Sequence, residues 1–169
     1  MPTPDFILDL RERISHAPLW LPGVTAVVLR PAADPGQPPE VLLVRRADTG
    51  AWTPVTGIAE PGEQPDVTAV REITEETGVE AEVERVLWVR AVGPVTYPNG
   101  DVASYMDTAL LCRVVGDSGC AHAADDENTD ARWFPVDRLP ELSERFRQTI
   151  TAALAGGPTW VGTPPDSSA

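Results

Sequence analysis

Cysteine is scarce: Cys112 and Cys120 are the only two in 169 residues. They form no CxxC pair and no Cys/His cluster accompanies them, which excludes a disulfide scaffold and leaves two reduced thiols. Positive charge is also short, with 13 basic residues against 26 acidic ones and a net charge of −13. Binding to a duplex requires basic patches that neutralise phosphates, so a nucleic-acid backbone is not the expected partner. An anionic membrane surface is disfavoured for the same reason. No apolar run approaches the length of a membrane span. The opening MPTPDFILDLRER lacks the basic and apolar regions of a signal peptide, so the expected location is cytoplasmic. An acidic chain can still bind a phosphate compound when a divalent cation sits between carboxylate and phosphate.

Apolar residues make up 42% of the chain, enough for the core of one ordinary domain. Residues 5–17 read as a helix, with Phe6, Ile7, Leu10 and Ile14 on one side and Pro18 after it. Strands are expected at 24–30 and 40–46, able to form a hairpin across a Pro/Gly-rich loop, with a short extended piece at 52–57. A second helix opens at Pro65 or Asp66 and closes at Gly78, which suits a left-handed residue after the helix. Residues 82–95 and 105–115 read as long strands joined by a turn containing Asn99-Gly100, and 130–136 as another strand. A last helix is expected at 142–154. A Gly/Pro/Ser-rich tail follows at 156–169, with Trp160 as its one evident anchor. The expected organisation is an N-terminal helix at 1–18, a domain at 19–155 and the tail. The fold class is α/β, an α/β/α sandwich around a mixed sheet.

Glu72, Glu75 and Glu76 lie at i, i+3 and i+4 of the second helix, with Arg71 as the one basic residue in that turn. Like charges so placed repel by about a few tenths of a kcal/mol per pair in water, and by more when shielded. Val67, Val70, Ile73 and Thr77 recur at spacings of three and four and are expected to face the sheet, leaving the glutamates on a different face. The helix by itself can be read two ways, as a solvated acidic face or as a site for a hard cation. Mg²⁺ prefers a few carboxylates plus substrate phosphates over a closed protein cage. The glycine-punctuated segment GIAEPGE at 57–63 leads into this helix, and a backbone carbonyl there can supply a further oxygen.

Written out, residues 57–79 are GIAEPGEQPDVTAVREITEETGV. This stretch resembles the Nudix box: G, five residues, E, seven residues, R-E-U-x-E-E-x-G-U, where U is a bulky aliphatic. Gly57, Glu63, Arg71, Glu72, Ile73, Glu75, Glu76, Gly78 and Val79 fill every defined position. Seven fixed residues at roughly 5–8% usage each make a chance match rarer than about one in a million. The resemblance implies a Nudix-type sandwich in which Glu72, Glu75 and Glu76, with the carbonyl of Gly57, bind Mg²⁺ or Mn²⁺. It implies that Arg71 orients the carboxylates, that Glu63 and Gly78 brace the box, and that water attacks phosphorus in a diphosphate linked to another group. The expected partner is a small nucleotide: a nucleotide sugar, an ADP-ribose-like compound or a nucleoside triphosphate. The upstream segment departs from the common W-x-L-P-G-G and reads Trp52-Thr53-Pro54-Val55-Thr56-Gly57.

Glu75 and Glu127 are the candidates for the base that takes the proton from water, alongside Arg71 as a catalytic group. Arg45 can reach a phosphate or lie in a surface ion pair. Trp52 can stack on a base or pack in the core. Tyr97 can line the pocket or make the turn. Asp107, in an otherwise apolar strand, either lines the site or is hydrogen-bonded. Two other functions compete. One is a nucleotide sensor that does not cleave, which has no need of a complete carboxylate set. The other is an isomerase of prenyl diphosphates, which by resemblance needs a cysteine at its site, whereas Cys112 and Cys120 fall well after the box. The apolar stripe of the first helix must be covered by the domain or by a second copy, a homodimer being the expectation.

Overall fold

The computed structural model describes residues 4–97, 99–116 and 120–162. Tail residues 163–169 and Pro98 of the expected turn lie outside them. Three helices and eight strands follow in the order α1 (Asp5–Ile14), β1 (Leu19–Arg30), β2 (Glu40–Arg46), β3 (Trp52–Thr53), β4 (Val55–Ile58), α2 (Pro65–Thr77), β5 (Ala81–Thr96), β6 (Val102–Val114), β7 (Asn128–Pro135), α3 (Glu144–Ala155) and β8 (Trp160–Val161). The strands form one mixed sheet in the order β3-β2-β1-β6-β5-β8, with β4 also paired to β1 and β7 to β2.

Strand β1 organises this sheet. It runs parallel to β6 from Leu19↔Ala103 to Leu29↔Arg113. On its other edge it meets β4 at residues 23–26 and β2 only at Leu29 and Arg30. The hairpin expected from residues 24–30 and 40–46 is therefore short, because β4 occupies most of that edge. An alternation of apolar and polar residues would not suit this strand: residues 23–28 are all buried, as in a strand covered on both faces.

The two faces carry separate cores. On one, Ala69 and Ile73 of α2 pack with Ala26, Val28, Val44, Val55 and Leu110. On the other, Phe146 and Ile150 of α3 pack with Val27, Leu43, Trp88 and Ala109. Trp52 belongs to this second core and meets Phe134 edge-on, with ring centroids 4.9 Å apart. Phe6 and Ile7 of α1 pack on Leu19, Leu21, Ile58 and Tyr105. Part of the apolar stripe of α1, Phe6 and Ile7, is thus covered by its own chain, while Ile14 stays exposed. The helix ends at Ile14, before Pro18, where Ser15 turns to a positive φ of 52°. Trp160 does anchor the tail: β8 pairs with β5 at Trp88↔Trp160, and the two indoles stack with centroids 6.4 Å apart. Among the described residues, no helix is long and apolar enough to cross a membrane.

Asp107 is a correction to the sequence reading. It is buried on the α3 face, where Oδ1 accepts from Thr25 Oγ1 at 2.8 Å and Oδ2 from Trp88 Nε1 at 3.2 Å. Both oxygens serve the core, tying β1, β5 and β6 together. Asp107→Ala should cost about 2–4 kcal/mol, because two buried donors lose their acceptor. In a thermal melt that is a fall of roughly 5–15 °C, with a smaller fall for Asp107→Asn, which keeps one acceptor. Wild-type melting of Asp107→Ala would overturn the structural role.

Candidate active site

The geometry starts at β4. Pairing of Val24 with Gly57 lays the end of β4 along the middle of β1, and after the loop at residues 59–64 Pro65 occupies the first turn of α2. Proline suits this position because the first helical N–H has no partner in any case. The helix stops at Gly78, which adopts the left-handed conformation (φ 67°), and its N–H returns to the carbonyl of Thr74.

The buried side of α2 is the one the spacing predicts at Ile73 and Thr77 but not at Val67. Val67 is 52% exposed, whereas Ala69, Glu72, Ile73 and Glu76 are buried. Glu72 and Glu76 point inward at 2% and 3% exposure, and Glu75 stays in solvent. Two carboxylates thus lie buried, where the spacing of the apolar residues had put them on another face.

Arg71 holds this arrangement. Its Nε and Nη2 donate to the two oxygens of Glu63, both at 2.8 Å, a bidentate pair. Its Nη1 donates to Glu72 Oε1 at 3.0 Å and to Glu75 Oε2 at 3.3 Å. Glu63 also accepts from Thr68 Oγ1 and from the backbone N–H of Glu60. The Arg71 guanidinium, aided by these bonds, holds the Glu63 carboxyl down at about 2. Burial has the opposite effect on the inward pair, pushing Glu72 up to about 7 against the pull of Arg71. It pushes Glu76 up to about 8, with the neighbouring Glu72 charge adding to the rise.

Gly57 is required by close approach. A Cβ on it would lie 2.2 Å from Cδ and Oε1 of Glu72, so the carboxylate rests directly on the bare Cα. Asn128, the first residue of β7, donates from Nδ2 to Glu76 Oε2 at 2.9 Å, while its Oδ1 is buried without a hydrogen-bond partner among the described residues. Sequence reasoning passed over Asn128. Nothing local marks it, because its contact depends on how β7 docks beside α2.

The loop before β7 closes over the end of α2. The N–H groups of His122 and Ala124 donate to the carbonyls of Thr77 and Glu76, and the carbonyl of Glu127 accepts from Ala47. This brings half-buried Glu127 to the same end of the helix as Glu76, with Arg46 close enough to feel the charge of both. Arg46, bound to Asp48 through two nitrogens, is the arginine of the 45–46 pair that faces the site. Arg45 is exposed and donates to the carbonyl of Gly50. Tyr97 packs with Ile58 and shares a short hydroxyl contact with Tyr105. Glu63, Arg71, Glu72, Glu75, Glu76 and Gly57 are therefore brought together, with the backbone of Glu127 at the Glu76 end of the helix. Arg45, Trp52 and Asp107 are not.

The ligand atoms available here are hard oxygens, and the bare Cα of Gly57 lets the Glu72 carboxylate lie against the backbone. Among the described residues no three carboxylates or imidazoles form a ready-made cage.

These environments predict how stability depends on pH. Glu72 and Glu76 titrate higher in the folded chain than the ordinary 4.5, so the folded state holds more protons than the unfolded one between about 4.5 and 8. Without metal, stability should fall as pH rises through that window, by roughly 5 °C or more in melting temperature. Glu63 acts in the other direction, adding stability above about 4.5 that disappears as pH drops toward 2. Melts of the chelated protein from pH 4 to 9 check this. Glu76→Gln should flatten the alkaline fall, and an unchanged slope would show that Glu76 is not its source.

Comparison with known proteins agrees with the geometry. The sequence model of the NUDIX domain matches residues 20–154. A MutT-like protein of Streptomyces ambofaciens is 29% identical over 143 residues, 85% of this chain and 80% of that protein. The NAD-capped RNA hydrolase NudC of Actinobacillus succinogenes is 33% identical over 103 residues, 59% of this chain, which spans only 34% of NudC. Among solved structures, a UDP-X diphosphatase superposes with a TM-score of 0.62 at 22% identity, covering 93% of this chain and 74% of that one. The domain match, spanning most of the chain and including the whole acidic helix, places this protein in the Nudix family as a Nudix hydrolase.

Proposed function

We propose that this chain uses a divalent cation, Mg²⁺ or Mn²⁺, to hydrolyse the pyrophosphate linkage of a small nucleotide in which a nucleoside diphosphate is joined to another group. One observation carries the reading: Glu72 and Glu76 are buried side by side against Gly57 and Asn128, where two ionised carboxylates are costly unless a cation joins them. Glu72, Glu75, Glu76 and the carbonyl of Gly57 would hold the ion. When bound, it supplies neutralisation of phosphate charge and a lower pKa for water. Arg71 Nη1 bridges Glu72 and Glu75, and the bidentate grip of the guanidinium on Glu63 fixes Arg71 in turn. The 120–127 loop is pinned to α2 through Ala124 and to Ala47, just after β2, and Glu127 from that loop would serve as general base.

Nucleotide sugars, ADP-ribose-like compounds and nucleoside triphosphates fit this chemistry. The substrate of NudC, a capped RNA, suits a net charge of −13 less well. A sensor that binds without cleaving has little use for the full carboxylate set.

A screen across these compounds, read as phosphate released by an added phosphatase and inorganic pyrophosphatase from the monophosphate and pyrophosphate products, should show turnover that vanishes in excess chelator and returns with Mg²⁺ or Mn²⁺. Full activity in chelator, or binding with no turnover of any compound, would sink the reading. Glu76→Gln should lose activity about a hundredfold or more while keeping its fold, since it removes a charge and one ligand oxygen.

Glu127→Gln should lower kcat by roughly 10²–10⁴ with little change in KM, and the remaining rate should lose the acidic limb of its pH profile. A variant keeping more than about a tenth of wild-type kcat returns the role of base to Glu75 or Glu72.

A further inference from the structure

Arg90 and Arg145 stand apart from the other arginines of the chain. Elsewhere, each described arginine that is even half-buried has a carboxylate or a carbonyl to donate to: Arg11, Arg30, Arg46, Arg71 and Arg85 all do. Arg90 and Arg145 are half-buried, yet neither donates a hydrogen bond or forms an ion pair among the described residues, and Nε of Arg90 is fully buried with no acceptor. Each guanidinium rests on a ring instead, Arg90 4.0 Å from the centroid of Trp88 and Arg145 4.3 Å from that of Phe146. Ring faces hold a cation in place but leave its N–H groups unused.

The two side chains come from different elements and converge. Arg90 lies on β5 directly opposite Asp107 of β6, and Arg145 is the second residue of α3, close enough to feel Arg90, Asp107, Tyr97 and Tyr105. The one carboxylate between them, Asp107, has both oxygens committed to Thr25 and Trp88. The result, among the described residues, is two desolvated cations, no free acceptor and the positive end of a helix dipole in one spot. Leaving such groups unpaired is expensive, and an anion removes the cost.

The register places this spot relative to the acidic helix. One row across the sheet runs from Gly57 and Ile58 of β4, through Val24 and Gly23 of β1 and Thr108 and Asp107 of β6, to Val89 and Arg90 of β5. Two to three strand spacings separate Ile58 from Asp107 and Arg90, about 10–15 Å along the sheet. Arg90 and Arg145 lie on the α3 face and Glu72 and Glu76 on the α2 face, so a group carried beyond the pyrophosphate reaches the arginines by passing the β4 edge. Tyr105, packed against Gly23, stands on β6 between the two ends.

We propose that Arg90 and Arg145 form an anion subsite for the far moiety of the substrate, so that the enzyme prefers nucleotides bearing a phosphate monoester or a carboxylate beyond the scissile pyrophosphate. This rests on the pyrophosphohydrolase reading above. The planar forks of the two arginines suit a two-oxygen anion, and the rings beneath them fix the forks in advance.

The test has a kinetic arm and a binding arm. In the first, kcat/KM is measured for two matched pairs, UDP-glucose with UDP-glucuronate and NADH with NADPH, the former asking for a carboxylate and the latter for a phosphate. The anionic member of at least one pair should be preferred. Arg90→Gln and Arg145→Gln should raise its KM roughly ten- to a hundredfold and bring the within-pair ratio toward one. In the second arm, inorganic phosphate in excess chelator should raise the melting temperature of the wild-type chain but not that of Arg90→Gln/Arg145→Gln. Arg90→Lys and Arg145→Lys keep the charge without the fork, and should show partial loss if the glutamines disturb folding. Phosphate protection that depends on the arginines, found with no turnover of any nucleotide, supports the subsite and sinks the hydrolase reading alone. Equal use of both members of both pairs, a ratio unchanged by the variants, or phosphate protection that survives in the double variant overturns the proposal.

Discussion

The guanidinium of Arg71 is the contact on which the acidic helix depends. Without it, Glu63, Glu72 and Glu75 would place like charges within a few ångströms, two of them shielded from water. The bidentate hold on Glu63 gives the arginine a fixed orientation, and that orientation leaves Nη1 to share between Glu72 and Glu75. The loop at residues 59–64 is thereby stapled to the middle of α2, and the close packing of Glu72 on Gly57 follows from the same staple. One cation thus sets both the direction of the carboxylates and the path of the chain leading to them.

That path explains an oddity of α2. Its apolar residues would favour burying Val67 and Val70, yet the helix is rotated so that Ala69 and Ile73 meet the sheet and Glu72 and Glu76 turn inward. Ala69 and Ile73 make one wall of the core, and the carboxylates lie at its rim, where Gly57, Asn128 and the 120–127 loop meet them. Stability is given up for position: burial lifts Glu72 and Glu76 well above the ordinary carboxylate range, while Glu63 is drawn far below it by the same arginine.

Much of this could be read from the chain alone because the bonds concerned are local. Glu63 to Arg71, Glu72 to Gly57 and Gly78 to Thr74 all close within residues 57–78, so fixed spacing in the sequence is the trace of fixed contacts in space. Helix α2, strands β2 and β7 and the anchoring of Trp160 follow from punctuation and periodicity in the same way. What stayed hidden depends on distant pairing. Asp107 looked like a site residue because a lone carboxylate in an apolar strand is conspicuous, and only the register of β1, β5 and β6 reveals Thr25 and Trp88 as its partners. Asn128 meets Glu76 through the docking of β7. The spacing placed Ile73 and Thr77 on the buried side correctly but missed Glu72 and Glu76 there, because it assumes that burial is decided by apolar residues, whereas here Arg71 and Gly57 help decide it.

The parallel union of β1 with β6 has a bearing on how the chain is made. Leu19 waits for Ala103, and the whole acidic segment leaves the ribosome before β6 is complete. At about 5–20 residues per second, several seconds pass in which the segment exists without the sheet that will bury it. Non-local strand pairing of this kind is slow to form. During that interval Glu72 and Glu76 are ordinary hydrated carboxylates. Their unusual chemistry is acquired late, once the far half of the chain has been synthesised and folded back, so a nascent or truncated chain would hold the complete motif and none of its properties.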